Sequence, residues 1–191
     1  MYVWRRRAAR VVLLDRADRV LLLHAVDPYD PRKGAWWELP GGGMEGSEPS
    51  GVAAARELYE ETGLAGVDMG PCVWRHRARF IFAGYRFDQQ EHIHVARCGV
   101  GVAGGGDDGG EGGGNSGDSA AGRVEYRPPG LEALEAMAFQ GARWWGMDEL
   151  AQHVEDGGRV IPPWLVEQLP ALLLAGWPAE PIDMGELGDV F

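Results

Sequence analysis

The chain has 191 residues, and its 29 acidic and 18 basic side chains give a formal net charge of −11 at pH 7. This length fits one domain with an ordinary core, and the acidic balance disfavours a general nucleic-acid surface, which needs a basic footprint. No stretch reaches the roughly 18 apolar residues of a membrane span and no secretory signal is visible, so we expect a cytoplasmic protein. Cys72 and Cys98 lack a CxxC spacing, so we expect two free thiols.

The first predicted elements are strands joined by polar and glycine-rich segments. Residues 11–14 and 20–23 are apolar, β-rich runs around a polar tetrapeptide, which is typical of a hairpin. A polar loop at 27–34 leads into a strand that contains Trp36 and Trp37. The glycine-rich segment 40–43 that follows is predicted as a loop whose backbone can approach a ligand closely.

Residues 49–61 predict a helix. Ser47 or Ser50 can serve as its N-cap, and Gly63 stands where a glycine in the left-handed conformation would end it. The apolar stripe of this helix, which we expect to pack on a sheet, comprises Val52, Ala55, Leu58 and Tyr59.

Three glutamates share one face of the predicted helix. Glu57, Glu60 and Glu61 stand at positions i, i+3 and i+4, so their charges repel one another unless a cation lies among them. Mg²⁺ and Mn²⁺ bind through carboxylates, water and substrate phosphates, so the cluster predicts a site for one of these ions. Arg56 can orient a neighbouring carboxylate through paired hydrogen bonds, and Glu48 can return to the same site.

The second half of the chain predicts more strands, an insertion and helices. Half of residues 99–122 are glycine, and such a segment buries too little apolar surface to offset its ordering entropy, so we expect a disordered insertion within the domain. The other predicted elements are strands at 73–83 and 91–98, a short helix at 131–139, a strand that runs into a helix at 144–150, a helix at 164–174, and a loosely packed tail at 176–191.

Arginines alternate along the strand predicted at 73–83. Arg75, Arg77 and Arg79 face one side of the sheet, where they either contact substrate phosphates or form its solvated surface. The short basic run at residues 5–7 is interpreted as a solvated lead-in to the first strand and not as a phosphate site.

Residues 42–64 carry a defined spacing: Gly42, five residues, Glu48, seven residues, then Arg56-Glu57-Leu58-x-Glu60-Glu61-x-Gly63-Leu64. This segment, called the box below, resembles the signature of the Nudix hydrolases. The flanking segments 8–25, 37–40 and 141–150 show softer similarity. The resemblance implies an α/β fold, a Nudix-type α/β/α sandwich with a mixed central sheet. It also implies a single domain at 1–175 that contains the insertion at 99–122 and precedes the tail at 176–191.

The resemblance also implies roles for the box residues. It places the metal ion, Mg²⁺ or Mn²⁺, on Glu57, Glu60 and Glu61 and on the backbone of Gly42. It assigns Arg56 to hold a glutamate in place and Glu48 to assist the metal site. Members of the family differ in the origin of the general base, so Glu57 and Glu91 are both candidates, with Glu132 and Glu135 as weaker ones.

The function implied is metal-dependent attack of water on a phosphorus atom of a nucleoside di- or triphosphate or of a nucleoside diphosphate linked to another group. The expected partner is thus a small-molecule nucleotide, with no nucleic acid and no membrane, and relatives suggest a possible homodimer. The alternative is a catalytically silent sensor of a nucleotide ligand built on the same fold. An isomerase of isoprenoid diphosphates is a third reading, which would require a catalytic cysteine.

Overall fold

The computed structural model of the chain describes residues 2–98 and 137–188. Within them, nine strands and three α-helices follow one another in this order: β1 (Val3–Leu14), β2 (Val20–Val26), a 3₁₀ turn (Pro31–Lys33), β3 (Ala35–Glu38), β4 (Gly41–Gly43), α1 (Ser50–Thr62), β5 (Asp68–Phe82), β6 (Tyr85–Arg97), β7 (Phe139–Trp145), α2 (Met147–Glu155), β8 (Val160–Ile161), α3 (Leu165–Ala175) and β9 (Ile182–Leu187).

All nine strands belong to one mixed sheet. Its main order is β8-β3-β2-β1-β6-β5-β9, with β4 paired to β1 and β7 paired to β2. β1 and β6 run parallel in continuous register from Val3 and Arg86 to Leu14 and Arg97. β5 and β6 form an antiparallel hairpin whose two turn residues, Ala83 and Gly84, both have positive φ, as a tight hairpin turn requires.

Two apolar cores cover the two faces of this sheet. Because side chains alternate along β1, Val11 and Leu13 pack with Leu58 of α1 on one face, and Val12 and Leu14 pack with Leu165 of α3 on the other. The predicted α/β/α sandwich with a mixed sheet is therefore confirmed.

The box helix confirms some details of its prediction and corrects others. α1 spans Ser50–Thr62 and ends at Gly63 in the left-handed conformation (φ 65°), as expected. Its N-cap is Pro49, without a side-chain capping bond, so the prediction of a serine cap was wrong. The predicted apolar stripe was also wrong at three of its four positions, because Val52, Ala55 and Tyr59 are exposed.

The face of α1 that is buried carries Ala53, Ala54 and Leu58 together with two of the glutamates, Glu57 and Glu61. Small alanines let the helix approach the sheet closely, which brings the carboxylates of these glutamates against the strands. The helix thus turns its charged residues inward at the site and leaves apolar side chains in water.

Two further segments differ from expectation. The glycine-rich segment is not a loop, since Gly41–Gly43 form β4 on the edge of β1. In the predicted loose tail, Ile182–Leu187 form β9 and pair in parallel with β5, although most of their side chains stay exposed. The free thiols are confirmed for Cys72 and Cys98.

The predicted insertion at 99–122 and most of the helix predicted at 131–139 lie outside the described residues. The strand and helix predicted at 144–150 correspond to β7 and α2, and the helix predicted at 164–174 corresponds to α3. No helix of the described ranges combines the length and apolar character needed to cross a membrane.

Candidate active site

The box folds into a short strand, a connecting loop and a helix that pack against β1. β4 pairs with β1 through Ala9 and Gly42, and α1 lies against both strands. This arrangement places the backbone of the glycines beside the glutamates of the helix.

Gly42 lies close against the carboxylate of Glu57. A Cβ atom built on Gly42 would lie 2.5 Å from Oε2 and 2.8 Å from Cδ of Glu57, so no residue with a side chain fits here without displacing the carboxylate. Glycine is therefore required at residue 42 by contact with Glu57 and not by backbone conformation, since Gly42 lacks a positive φ. The structure brings together these two predicted site residues.

Arg56 holds three of the box carboxylates. Its Nη1 donates to Glu57 Oε1 and to Glu60 Oε2, each at 3.0 Å, and its Nη2 donates to Glu48 Oε1 at 2.8 Å and to the carbonyl of Gly43 at 2.9 Å. The hydrogen bond from Arg56 lowers the pKa of Glu48 below its ordinary value. One guanidinium thus fixes three carboxylates and the end of β4 in a single arrangement.

Glu61 lies deeper than the other box glutamates. Its side chain is buried, and its Oε2 accepts a hydrogen bond of 2.6 Å from the backbone amide of Gly41. Burial raises the pKa of Glu61 well above its ordinary value, the hydrogen bond from Gly41 opposes this, and the negative charge of Glu38 adds to it. A cation beside this carboxylate would favour its ionised form.

A cavity of 110 Å³ opens beside the box. Gly41, Gly42 and Glu61 line one side of it. An aromatic wall, defined by Trp36, Phe80, Phe82 and Phe139, lines another. Concave sites with mainly apolar walls and a few placed polar groups are typical of ligand pockets.

Three residues of a buried polar cluster, Arg10, His76 and Glu91, also line the cavity. Glu91 Oε1 accepts a 3.1 Å hydrogen bond from Arg10 Nε and another from Gln89 Nε2, and its Oε2 lies 2.9 Å from His76 Nε2. Burial would raise the pKa of Glu91, but the charge of Arg10 and the contact with His76 outweigh it and hold the pKa far below its ordinary value. Arg10 also donates to the carbonyl of Leu39 at 2.9 Å, which ties the cluster to the strand before the box.

The sequence reasoning overlooked Arg10, His76 and Glu38 as residues of this site. Arg10 interrupts the otherwise apolar run of β1, and a charged residue at an inward-facing strand position is a signal that could have identified it. His76 offered no such signal, because only the pairing of strands distant in sequence brings it to the cavity.

The arginines predicted to contact substrate lie mostly elsewhere. Arg75, Arg77 and Arg79 are exposed on β5, and Arg77 makes paired hydrogen bonds of 2.6 and 2.7 Å to Asp88. Arg79 lies 3.1 Å from Glu186 of β9 and also borders the cavity. Cross-strand ion pairs thus occupy Arg77 and Arg79. Arg6 of the supposed lead-in instead belongs to β1 and lines the cavity.

The residues of the box bear on how the implied divalent ion would be held. No group of three His, Cys, Asp or Glu side chains in the described part of the chain is arranged to hold a metal ion. Mg²⁺, however, usually binds through one or two carboxylates, keeping several waters and adding substrate phosphates. Glu57 against the backbone of Gly42, with the charge of Glu61 nearby, fits that mode of binding and does not fit an enclosed cage.

A family model described as NUDIX domain matches residues 4–165. Among curated proteins, the CMP-5'-(N-acetyl-N-hydroxy-3-aminopropyl)phosphonate hydrolase of Streptomyces rubellomurinus (strain ATCC 31215) is 28% identical over 174 residues, which cover 91% of this chain and 68% of that protein. The RNA pyrophosphohydrolase of Dinoroseobacter shibae (strain DSM 16493 / NCIMB 14021 / DFL 12) is 43% identical over 60 residues, which cover 31% of this chain and 35% of that protein. Among solved structures, the MutT protein of Methanosarcina mazei Go1 is similar with a TM-score of 0.51 and 14% identity, over 90% of this chain and 96% of that one, and shows the same fold.

Proposed function

The chain belongs to the NUDIX domain family, the hydrolases of pyrophosphate bonds, and on this premise we propose that it hydrolyses the diphosphate bond of a nucleoside di- or triphosphate, or of a nucleoside diphosphate-linked compound, with Mg²⁺ or Mn²⁺. The observation that carries the proposal is the close approach of the carboxylate of Glu57 to Gly42, which itself lines a cavity. It supports a site in which a backbone group and a carboxylate lie together beside a bound ligand.

The metal ligands we propose are Glu57, Glu60, Glu61 and the backbone of Gly42. A divalent ion bound there would neutralise charge that develops on the phosphate oxygens and lower the pKa of a bound water. Arg56 keeps the glutamates in place, since its fork engages Glu57 and Glu60 at the same time. Glu48 completes this arrangement through its own hydrogen bond with Arg56.

Of the two main base candidates, Glu57 is the one we favour. A general base acts best when its pKa lies near the working pH, and Glu91 is held as a carboxylate by Arg10, Gln89 and His76 with a pKa far below that range. Glu91 thus fits the role of a residue that fixes Arg10 and His76 at the cavity. Glu132 and Glu135 lie outside the described residues.

The substrate class draws support from both the cavity and the relatives. The aromatic wall offers a stacking surface for a planar heterocycle next to the box. The relative from Streptomyces rubellomurinus is named as a hydrolase of a CMP-linked phosphonate, which supports a nucleoside monophosphate joined to a second phosphorus group. The position where ADP-ribose-specific members carry a proline holds Phe80, a residue of the aromatic wall, which disfavours that specialisation.

Turnover of a nucleotide panel tests the proposal. Wild-type protein and Glu61→Gln would be incubated with nucleoside di- and triphosphates and nucleotide-linked compounds in Mg²⁺, in Mn²⁺ and in chelator, and released phosphate and nucleotide would be measured. We expect turnover that requires the metal and falls at least about 100-fold in Glu61→Gln. Equal activity in Mg²⁺ and chelator would contradict the mechanism, and tight nucleotide binding without turnover would favour the sensor.

Thermal unfolding separates metal binding from chemistry. Glutamine keeps the size of Glu61 and an oxygen that accepts from Gly41, so we expect the variant to melt at or above the wild-type temperature in chelator, because a buried carboxylate has been removed. Mg²⁺ should raise the melting temperature of the wild type more than that of Glu61→Gln. Equal metal-induced stabilisation of both proteins would remove Glu61 from the ligand set.

A further inference from the structure

A basic groove of 880 Å³ opens on the face of the sheet that packs against α1, and five arginines and three acidic residues line it. Because side chains alternate along a strand, Arg7 of β1 projects from the same face as Val11, which packs with α1. Arg75 of β5 pairs with His92 of β6, which shares a face with His94, and His94 contacts α1. The groove thus presents positive charge on a chain whose net charge is −11.

The groove and the cavity beside the box lie on opposite faces of the sheet. Arg10, His76 and Glu91, which line the cavity, alternate along β1, β5 and β6 with the side chains that line the groove. Arg6 and His76 border both spaces, so the thickness of the sheet separates them. The groove is therefore a second space, distinct from the cavity.

The pairing of the strands leaves one end of the groove without a carboxylate at its centre. At the other end, Asp88 of β6 accepts paired hydrogen bonds of 2.6 and 2.7 Å from Arg77. The next residue of β6 on this face is Gln90, and Arg7 of β1 stands opposite it. Arg75 stands opposite the residue that follows on the same face. Positive charge at Arg7 and Arg75 thus flanks a neutral centre.

Three exposed side chains at this end have unused hydrogen-bond donors. Within the described ranges, Arg75 and the side-chain amide of Gln90 make no hydrogen bond or ion pair. Asp183, the neighbour of Arg75 on β9, accepts instead from a backbone amide of its own strand. Arg7 donates from Nη2 to the carbonyl of Gly46 at 3.0 Å, which leaves its charge without a carboxylate partner. These groups favour an anion between them.

Both arginine charges act on one ring between them, the imidazole of His92. Burial lowers the pKa of His92, a hydrogen bond with the backbone of Ala8 raises it, and the charges of Arg75, His94 and Arg7 lower it further. From the spacing of strands and residues, the Cα atoms of Arg7 and Arg75 are about 12 Å apart. Two long side chains on either side of this ring can engage one ligand together.

We propose that Arg7, Arg75 and Gln90 form a second anion site, which binds a phosphate group of a small molecule. Guanidinium groups match phosphate oxygens through paired hydrogen bonds, and the amide adds a further donor. A phosphate group carries a charge of about −1.5 to −2 and three acceptor oxygens at pH 7, which suits two arginines better than a single carboxylate does. The site is independent of the proposed function, because its three side chains belong neither to the metal ligands nor to the cavity.

Titration with inorganic pyrophosphate and with CMP, both in chelator, tests the site. Nuclear magnetic resonance of histidine-labelled protein would follow the ring of His92, assigned with His92→Gln. We expect binding to raise the pKa of His92, because the anion offsets the charges of Arg75 and Arg7, and to leave His153 of α2 unchanged. A response to pyrophosphate alone supports a site for the free anion, and a response to CMP supports a site for a phosphate carried by a nucleotide.

Calorimetry on variants separates this site from the box. Arg75→Gln and Arg7→Gln should each weaken pyrophosphate binding at least about tenfold, the effect of one charge-assisted hydrogen bond. The control Arg16→Gln removes the same charge from an exposed residue, and Glu61→Gln alters the box, so both should bind as the wild type does. A wild type without saturable binding up to about 10 mM would overturn the inference, as would unchanged affinity in a folded Arg75→Gln. Binding that disappears in Glu61→Gln would place the anion at the box instead and overturn it too.

Discussion

Replacement of Gly42 by alanine tests the contact on which the candidate site depends. The new Cβ would lie 2.5 Å from Glu57 Oε2, whereas real Cβ contacts are essentially never shorter than 3.0 Å and rarely shorter than 3.4 Å. Because Gly42 has no positive φ, alanine introduces no backbone strain, and the flexible carboxylate is the group that moves. The fold should therefore survive while the carboxylate of Glu57 shifts.

The size of the effect follows from that distance. Relief of the overlap requires a shift of about 0.5–0.9 Å, and a misplacement of about 1 Å in a catalytic site costs on the order of 100-fold. We expect kcat to fall about 30- to 100-fold, equivalent to about 2–3 kcal/mol of transition-state stabilisation. The melting temperature should change by no more than a few degrees.

Alanine substitutions at three other glycines are the comparisons for Gly42→Ala. Gly41→Ala should destabilise the whole protein, because φ is +139° there and a Cβ would overlap the backbone of Ala9. Gly43→Ala should have a small effect, since its Cβ would meet only the movable end of Arg6 at 3.1 Å. Gly146→Ala meets nothing within 4 Å and serves as the control for activity. Steady-state kinetics and thermal melts on the four variants would refute the reasoning if Gly42→Ala kept kcat within threefold of the wild type.

Two further substitutions probe charge pairs at and away from the site. Arg56→Lys keeps the charge but loses the planar guanidinium that bonds several acceptors at once, so the Mg²⁺ concentration for half-maximal activity should rise about tenfold. The control Arg16→Lys, at an exposed residue, should leave that concentration unchanged. An unchanged Mg²⁺ concentration in Arg56→Lys would show that the guanidinium is dispensable. Asp27→Asn breaks a buried ion pair with Lys33 (2.7 Å) and should cost about 3 kcal/mol, or about 6–12 °C in Tm, whereas Asp30→Asn on the surface should change Tm little. Burial raises the pKa of Asp27, but the hydrogen bonds from Lys33 and the backbone outweigh it and lower the pKa. The loss of stability in Asp27→Asn should therefore be full above the ordinary aspartate pKa of about 3.9 and should shrink as the pH falls below it. A loss of stability that stays constant down to about pH 2 would contradict this.

The sequence predicted those parts of the fold in which local pattern and tertiary structure agree. The spacing of the box predicted α1 and its end at Gly63, and apolar, β-rich runs predicted parts of β1 and β2. β4 was missed because glycines carry no side-chain pattern, and β9 because its acidic residues gain a strand conformation only from pairing with β5.

Within the site, the sequence grouped residues that are near one another along the chain. It placed Glu48, Arg56, Glu57, Glu60 and Glu61 together. The hydrogen bonds of Glu48, Glu57 and Glu60 to the Arg56 guanidinium agree with that grouping. The cavity joins Arg10 of β1 with His76 of β5, which are brought together only by the pairing of strands distant in sequence. The sequence offers no local signal for contacts of that kind, so the substrate side of the site became visible only in the structure.

The parallel pairing of β1 with β6 also imposes an order of events on synthesis. Every pair in this ladder joins residues 83 positions apart, from Val3 with Arg86 to Leu14 with Arg97. At about 5–20 residues per second, a ribosome needs roughly 4–17 s to supply the partner that β1 requires. During that interval the apolar half of β1 has an unpaired edge that can join other nascent chains. The strand that carries Arg10 to the cavity is thus made well before the partner strand that completes this edge.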